Sequence, residues 1–199
     1  MKRFSLCILM LAMFLPSSPL HPYAVIYKEE YYRLYHIHAQ QHPDDAIENI
    51  YWLEKAAKVT FCNPKYALVR IENETDWEKY RALFMMHVNL KLIEQHLRLG
   101  KNYDKQVAYF YDAPWKDEYL RQLERADTCY RTGLAYWEEA LSYFRQANDG
   151  KFRFLFLTGV QNWEDERERI ATGKLDYARI IQKELARLEQ MRAVWQEKR

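Results

Sequence analysis

The sequence has few of the residues that mark turns, almost no net charge and no long hydrophobic run. Five glycines and six prolines in 199 residues exclude collagen-like and linker-type chains and leave few turn signals for an all-β protein. The 30 basic and 28 acidic residues nearly cancel, so the chain has no strong field to attract nucleic acid. Aromatic residues, by contrast, make up 16% of the chain, which is too many for a disordered protein.

The first 24 residues are predicted to be a secretory signal peptide. Lys2 and Arg3 form a short positive start, and the uncharged apolar stretch Phe4–Leu15 follows them. A stretch of about 12 residues suits a signal peptide, whereas a membrane-spanning helix needs about 20. We therefore expect export, with cleavage within Ser17–Ala24. The alternatives are an uncleaved N-terminal anchor, in transient contact with the membrane, and a buried helix.

The chain that remains after cleavage is neutral and keeps two cysteines. Residues 1–24 include two basic residues and no acidic one, so 28 basic and 28 acidic residues remain, and nucleic acid is not an expected partner. Export would place Cys62 and Cys129 in an oxidising compartment, where a pair of cysteines can form a disulfide. Two small buried thiols are the alternative, and the sequence leaves both open.

Residues 25–199 are predicted to form a single all-α domain, either an antiparallel helical bundle or a short TPR-like array of helical repeats. Apolar residues recur at a spacing of three to four, and no segment alternates with period two. A helix that begins near residue 75 is apolar on most of its circumference, which places it in the centre of the domain. The helices are expected over about 27–40, 43–59, 64–71, 75–99, 116–147, 161–172 and 177–195.

Local signals set several of these boundaries. Thr75–Glu78 matches the capping box of a helix N-terminus, and Asp176 is in position to cap the last helix. Gly100 is predicted to end the central helix as a C-terminal cap. Gly133 lies inside the segment 116–147, which is therefore one long helix or two helices with a bend.

The stretch 101–115 is predicted to be the longest irregular segment, and it is crowded with aromatic residues. Exposed aromatic side chains in such a segment are typical hot spots for a protein partner, or they line a ligand groove. Alternatively, the segment folds back and buries them against the core. The candidate partner- or ligand-binding residues are Tyr103, Tyr109, Phe110, Tyr111 and Trp115.

The sequence carries no motif of a known catalytic chemistry. Patterns of the GxSxG, Walker, GxGxxG and CxxC types are missing from it. His38 and His42 have the spacing of two metal ligands on one helical face, but no HExxH glutamate lies between them. The acidic run 164–168 is interleaved with arginines at helical spacing, as on a solvated face. We therefore expect no enzymatic activity, no metal and no cofactor.

Two short segments resemble tetratricopeptide repeats. Trp137–Ala147 has the pattern W-x2-A-x3-F-x2-A, which is similar to the second half of such a repeat, and Asp44–Leu53 echoes it. The hallmark of the first repeat helix is missing, and no 34-residue period can be traced. Ordinary packing of alanine and aromatic residues between antiparallel helices is the alternative.

Three longer strings of the sequence are His42–Ala56, Phe61–Ala67 and Gly159–Glu166. They resemble segments of exported, TPR-like helical proteins of spirochaetes, which include components of the periplasmic collar around the flagellar motor. The resemblance implies a periplasmic, non-enzymatic scaffold or adaptor that binds protein partners in an envelope or motor assembly. The alternative function is that of a periplasmic ligand-binding accessory protein with an aromatic-lined pocket.

Overall fold

The computed structural model describes residues 24–109 and 115–197, so all of the predicted signal peptide except Ala24 lies outside the described residues. The described part contains six α-helices and no strand, which confirms the all-α prediction. None of these helices is both long and apolar enough to cross a membrane. Their bounds are α1 Lys28–Gln41, α2 Ala46–Lys58, α3 Glu74–Tyr109, α4 Lys116–Ala147, α5 Gln161–Ala171 and α6 Tyr177–Glu197.

Helices α3 and α4 form a long antiparallel pair at the centre of the domain. Gly100 of α3 faces Tyr130 of α4, whereas His96, which is earlier in α3, stacks on Tyr136, which is later in α4. The two helices therefore run in opposite directions. Helix α1 packs on α2 and α2 packs on α3, whereas α6 packs mainly along α4. Helix α1 also reaches α3 through Tyr32, which contacts His87 and Phe84. As predicted, α3 is buried on most of its circumference. Its fully buried apolar side chains are Tyr80, Leu83, Phe84, Met86, Val88, Leu90, Leu92, Ile93 and Val107.

Gly100 does not end the central helix, contrary to the prediction. Helix α3 continues through it for nine further residues to Tyr109, so residues 101–109 are helical rather than irregular. A Cβ atom built at Gly100 would lie 2.5 Å from Cε1 of Tyr130. The glycine is therefore needed for the close approach of α3 and α4, not for a turn.

The segment 116–147 is one continuous helix, so there is no break at Gly133. A Cβ atom at Gly133 would lie 3.2 Å from Cδ1 of Ile181 on α6. This glycine also marks a place where two helices approach closely, and the side chain of Ile181 is completely buried there.

The helix N-termini are capped as predicted at Asp176 but not at Thr75. The carboxylate of Asp176 accepts a hydrogen bond from the backbone N–H of Arg179 at 3.1 Å. For α3 the cap is Asn73, whose side chain accepts from the N–H of Asp76 at 2.9 Å. Thr75 lies inside the first turn. The helix predicted over 64–71 is reduced to a single 3-10 turn, Pro64–Tyr66.

Candidate functional site

Within the predicted aromatic segment 101–115, the structure describes residues 101–109, which are helical, and Trp115. Tyr103 lies on α3, half-buried against the core, with the guanidinium of Arg125 5.8 Å from the centre of its ring. Trp115 precedes α4 and is 63% exposed. The side chain of Tyr109 and all of Phe110 and Tyr111 lie outside the described residues. Of the five candidates, Trp115 is thus the one with a described, exposed side chain.

A second aromatic surface, which the sequence analysis missed, lies between α4 and α5. Residues 153–158 form a non-helical connection, here called the aromatic loop. Phe154 is 86% exposed and Phe156 72% exposed, while Phe152 and Leu157 on either side are buried and anchor the loop to the core. The signal in the sequence was the apolar run Phe152–Leu157, which is too short for a helix and has no partner strand.

Lys79 of α3 contacts the aromatic loop on its buried side and holds it in place. Its ammonium group donates a hydrogen bond to the carbonyl oxygen of Leu155, midway between the two exposed phenylalanines. The same group lies 5.4 Å from the centre of the Phe156 ring. Lys79 is only 2% exposed. A buried charge is costly unless it is paired or hydrogen-bonded. The hydrogen bond from the buried Lys79 ammonium group therefore holds the loop backbone against α3.

The partner of Lys79 is Glu164 on α5, at an N···O distance of 2.5 Å. Glu164 is also buried, and it accepts a charged hydrogen bond from Arg167 at 2.9 Å. Arg167 in turn donates to the side-chain oxygen of Asn148, which ends α4. This network joins α3, α4 and α5 around the base of the aromatic loop.

A cleft of about 490 Å³ opens on the domain surface where α2, α3 and the end of α4 meet. Apolar and aromatic side chains form much of its lining, including Phe61, Met85, Tyr143 and Phe152. Lys28, the first residue of α1, is part of the wall. Half of the lining residues are charged or polar, and a concave cleft that combines apolar side chains with such groups can hold a small molecule.

Lys28 is buried in this wall, with 7% of its surface exposed. Its ammonium group donates hydrogen bonds to the carbonyl oxygens of Ala56, at 3.2 Å, and of Ala57. It also lies 5.3 Å from the ring centre of Phe61. Burial lowers the pKa of Lys28 to about 8, although the neighbouring charge of Glu29 opposes that shift.

A third polar group is enclosed between α1, α3 and α5. The ring of His87, on α3, bonds Tyr32 through Nε2 at 2.7 Å and Glu166 through Nδ1 at 2.5 Å. Trp163 stacks on the imidazole with 5.2 Å between ring centres. His87 is almost completely buried. The arrangement satisfies both ring nitrogens, and it joins three helices rather than presenting a reactive group to solvent.

The remaining sequence candidates lie apart from these surfaces. Cys62 and Cys129 are both free, buried thiols, which is the second of the two alternatives. Burial raises the pKa of Cys62 to about 12 and that of Cys129 to about 11, so both are protonated at neutral pH. His38 bonds the side chain of Asn49 at 3.0 Å. The described residues contain no cluster of three or more side chains suited to a metal ion.

Comparisons with curated proteins and with solved structures find no significant match to this chain. A family model described as a domain of unknown function (DUF8513) matches residues 75–198. The matched region begins in the first turn of α3 and includes the aromatic loop, Lys79 and Glu164, but not α1, α2 or Lys28. Because the match covers more than half of the sequence, the chain belongs to the DUF8513 family.

Proposed function

We propose that the protein is an exported, α-helical scaffold or adaptor that binds protein partners in the periplasm. The observation that carries this proposal is the aromatic loop. Phe154 and Phe156 expose large apolar surfaces, and aromatic side chains of this kind supply much of the binding energy at protein interfaces.

The way in which the loop is held supports the same function. Binding costs less when the interacting side chains are already ordered, because less conformational entropy is lost. The hydrogen bond from Lys79 fixes the backbone at Leu155, and the guanidinium of Arg153 lies 5.3 Å from the ring centre of Phe154. The two rings are thus displayed on a supported backbone above a buried ion pair.

A TPR-like organisation is part of this proposal, and helices α1 and α2 support it best. They have 14 and 13 residues and form a hairpin of about the size of one repeat unit. The TPR-like segment Asp44–Leu53 lies on this hairpin. The other such segment, Trp137–Ala147, ends α4, which with 32 residues is much longer than a repeat helix.

We further propose that the partners belong to an envelope assembly, for which the collar of the flagellar motor is the specific candidate. The support is the N-terminal signal pattern and the resemblance of three strings to exported helical proteins of spirochaetes. Intact-mass measurement of the native protein tests the export step. We expect a mature N-terminus within residues 17–25, and a full-length chain would contradict signal cleavage.

Site-directed photo-crosslinking in cells tests the scaffold function directly. A photoreactive phenylalanine analogue at position 154 or 156 is expected to give crosslinks to envelope or motor proteins, identified by mass spectrometry. The double variant Phe154→Ser/Phe156→Ser should lose the same partners on affinity purification. Tyr66→Ser is the matched control, since Tyr66 is as exposed as Phe156 but lies on the 3-10 turn before α3. Partners retained by the double variant would overturn the role of the loop.

The alternative function is that of a periplasmic ligand-binding accessory protein. The cleft at Lys28 is the specific observation in its favour, because its volume and aromatic lining suit a small molecule. The two functions use different surfaces and are compatible in one protein.

A further inference from the structure

We propose that the cleft beside Lys28 binds a small amphiphilic anion, with a carboxylate head on the Lys28 ammonium group and an apolar body against the aromatic wall. The ligand class is that of medium-chain or aryl carboxylic acids. This inference goes beyond the scaffold function and does not depend on it.

The first step of the argument is that Lys28 is a buried cation without an anionic partner in the described structure. Its hydrogen bonds go to two backbone carbonyl oxygens, and no described carboxylate forms an ion pair with it. The nearest acidic side chain in sequence, Glu29, accepts hydrogen bonds from the N–H of Cys62 at 3.0 Å and from the hydroxyl of Tyr80 at 3.4 Å. Glu29 is therefore directed to other groups.

The second step is that the other cations of the cleft have partners. Lys151 pairs with Glu78 at 2.6 Å. Arg81 lies 3.6 Å from Glu74 and stacks over Trp77. Within the described lining, this leaves Lys28 as the cation whose charge an incoming anion would compensate. Carbonyl dipoles at the end of a helix stabilise a cation only in part, so a carboxylate would recover desolvation energy that they leave uncompensated.

The third step concerns the rest of the ligand. The apolar half of the lining includes Ala57, Phe61, Ala82 and Met85. The other half is charged or polar and consists of Lys28, Glu78, Arg81, Gln146, Asp149 and Lys151. At about 490 Å³, the cleft lies within the range of small-molecule sites, which is about 300–1,000 Å³. A ligand with one charged head and an apolar body matches a lining that is half polar and half apolar, whereas a wholly polar ligand would leave the apolar half unused.

Calorimetric titration of the purified full chain with decanoate and with decanol tests the proposal. The two probes share an apolar chain and differ in the charge of the head. We expect decanoate to bind at least tenfold more tightly than decanol. Lys28→Met should remove that preference, and Lys28→Arg should retain part of it. Lys58→Met is the matched control, because Lys58 is the last residue of α2, whose Ala56 and Ala57 carbonyls accept from Lys28, but it is exposed and paired with Glu54.

A second measurement on the unchanged protein covers the case in which Lys28→Met fails to fold. Between pH 7 and pH 9.5 the Lys28 ammonium group loses its proton, since its pKa is about 8. The other charged groups that face Lys28 or line the cleft are Glu29, Glu78, Arg81 and Asp149. Pairing with Glu78 raises the pKa of Lys151, and burial raises the pKa of Tyr143. Both groups therefore lose their protons at a higher pH than Lys28 does. Decanoate affinity should fall over this range, and decanol affinity should not.

Each outcome decides between the proposal and its alternatives. Equal affinity for the two probes would overturn the role of charge and leave an apolar cleft, and binding of neither probe would overturn the site. An equal loss in Lys58→Met would overturn the assignment to Lys28. The aromatic-loop variant Phe154→Ser/Phe156→Ser should bind decanoate normally, which separates failure of this inference from failure of the scaffold function.

Discussion

At the scale of single residues, His96 is a buried imidazole whose protonation state affects the stability of the fold. It lies on α3 with 8% of its surface exposed, and neither ring nitrogen has a hydrogen-bond partner in the described structure. The imidazole stacks on Tyr136 with 5.4 Å between ring centres. Burial lowers the pKa of His96, and the charge of Glu54, which bonds Tyr136, opposes the shift only in part. His96 is therefore held neutral.

The stability of the protein should consequently fall in mild acid. Because the pKa of His96 is lower in the folded state, the unfolded chain binds the proton first, and stability is lost as pH falls below about 6.5. One such proton changes the free energy of unfolding by at most about 1.4 kcal/mol per pH unit. Urea unfolding between pH 7 and pH 5 should show a shallower loss in His96→Phe than in the wild type. His42→Phe, at an exposed histidine, serves as control, and parallel curves for wild type and His96→Phe would refute the prediction.

Replacing Gly100 by alanine should have the opposite effect on stability from the same change in an ordinary helix interior. In an exposed helix, replacing glycine by alanine stabilises by about 1 kcal/mol. Here the added Cβ would meet the Tyr130 ring at 2.5 Å, and Tyr130 is fully buried and bonded to Asp104 at 2.6 Å. We expect Gly100→Ala to destabilise by about 1–3 kcal/mol in urea unfolding. Gly150→Ala is the control, because a Cβ atom at Gly150 would have no atom within 4 Å, and it should change stability by less than about 0.5 kcal/mol. A stabilising effect of Gly100→Ala would contradict the close approach of α3 and α4.

At the scale of elements, the buried pair Lys79–Glu164 joins α3 to α5. Glu164→Gln leaves the Lys79 ammonium group buried without its carboxylate, and losses of about 3–5 kcal/mol are typical of such a change. Lys79→Met should cost less, because Glu164 still pairs with Arg167 at 2.9 Å. The double variant should be more stable than the sum of the single losses predicts, with a coupling of about 1–3 kcal/mol. Additive losses in a denaturant-unfolding cycle would show that the pair does not act as a unit.

Sequence patterns predicted the elements well where the local signal and the tertiary environment agree. The cap at Asp176 and the buried circumference of α3 are both local consequences of residue type and spacing. Gly100 was misread because a glycine at a helix end and a glycine at a helix crossing look identical in sequence. Only the ring of Tyr130, thirty residues away, distinguishes them.

The candidate surfaces were harder to predict for the same reason. Trp115 is exposed, which is one of the two alternatives that the sequence leaves open. Phe154 and Phe156 lie on a loop whose backbone accepts a hydrogen bond from Lys79, a contact that no local pattern reveals. The cleft likewise assembles Lys28, Phe61 and Met85 from three separate segments. Periodicity indicates which face of a helix is apolar, but not which of the apolar side chains a neighbouring segment leaves uncovered.

At the scale of the whole molecule, the family boundary and the folding unit do not coincide. The DUF8513 match begins at residue 75, in the first turn of α3. The core of α3 is nevertheless completed by the preceding hairpin. Tyr32 of α1 bonds His87 at 2.7 Å, Tyr32 also packs edge-on against Phe84, and Leu53 of α2 is completely buried. Removing α1 and α2 would therefore expose apolar residues of the central helix and leave His87 without its tyrosine partner.

We therefore expect a fragment of residues 74–199 to lose the cooperative thermal transition of the intact protein, although it contains the entire family match. Addition of a separate 25–73 peptide should restore part of that transition, because the contacts of α1 and α2 with α3 need no covalent link. Circular dichroism and calorimetry measure both effects, with the chain lacking only residues 1–24 as control. If the 74–199 fragment unfolded with the same transition temperature as this control, α3–α6 would be a complete domain and α1–α2 an accessory. Loss of the transition would instead make the hairpin part of one folding unit and would place the Lys28 cleft inside that unit.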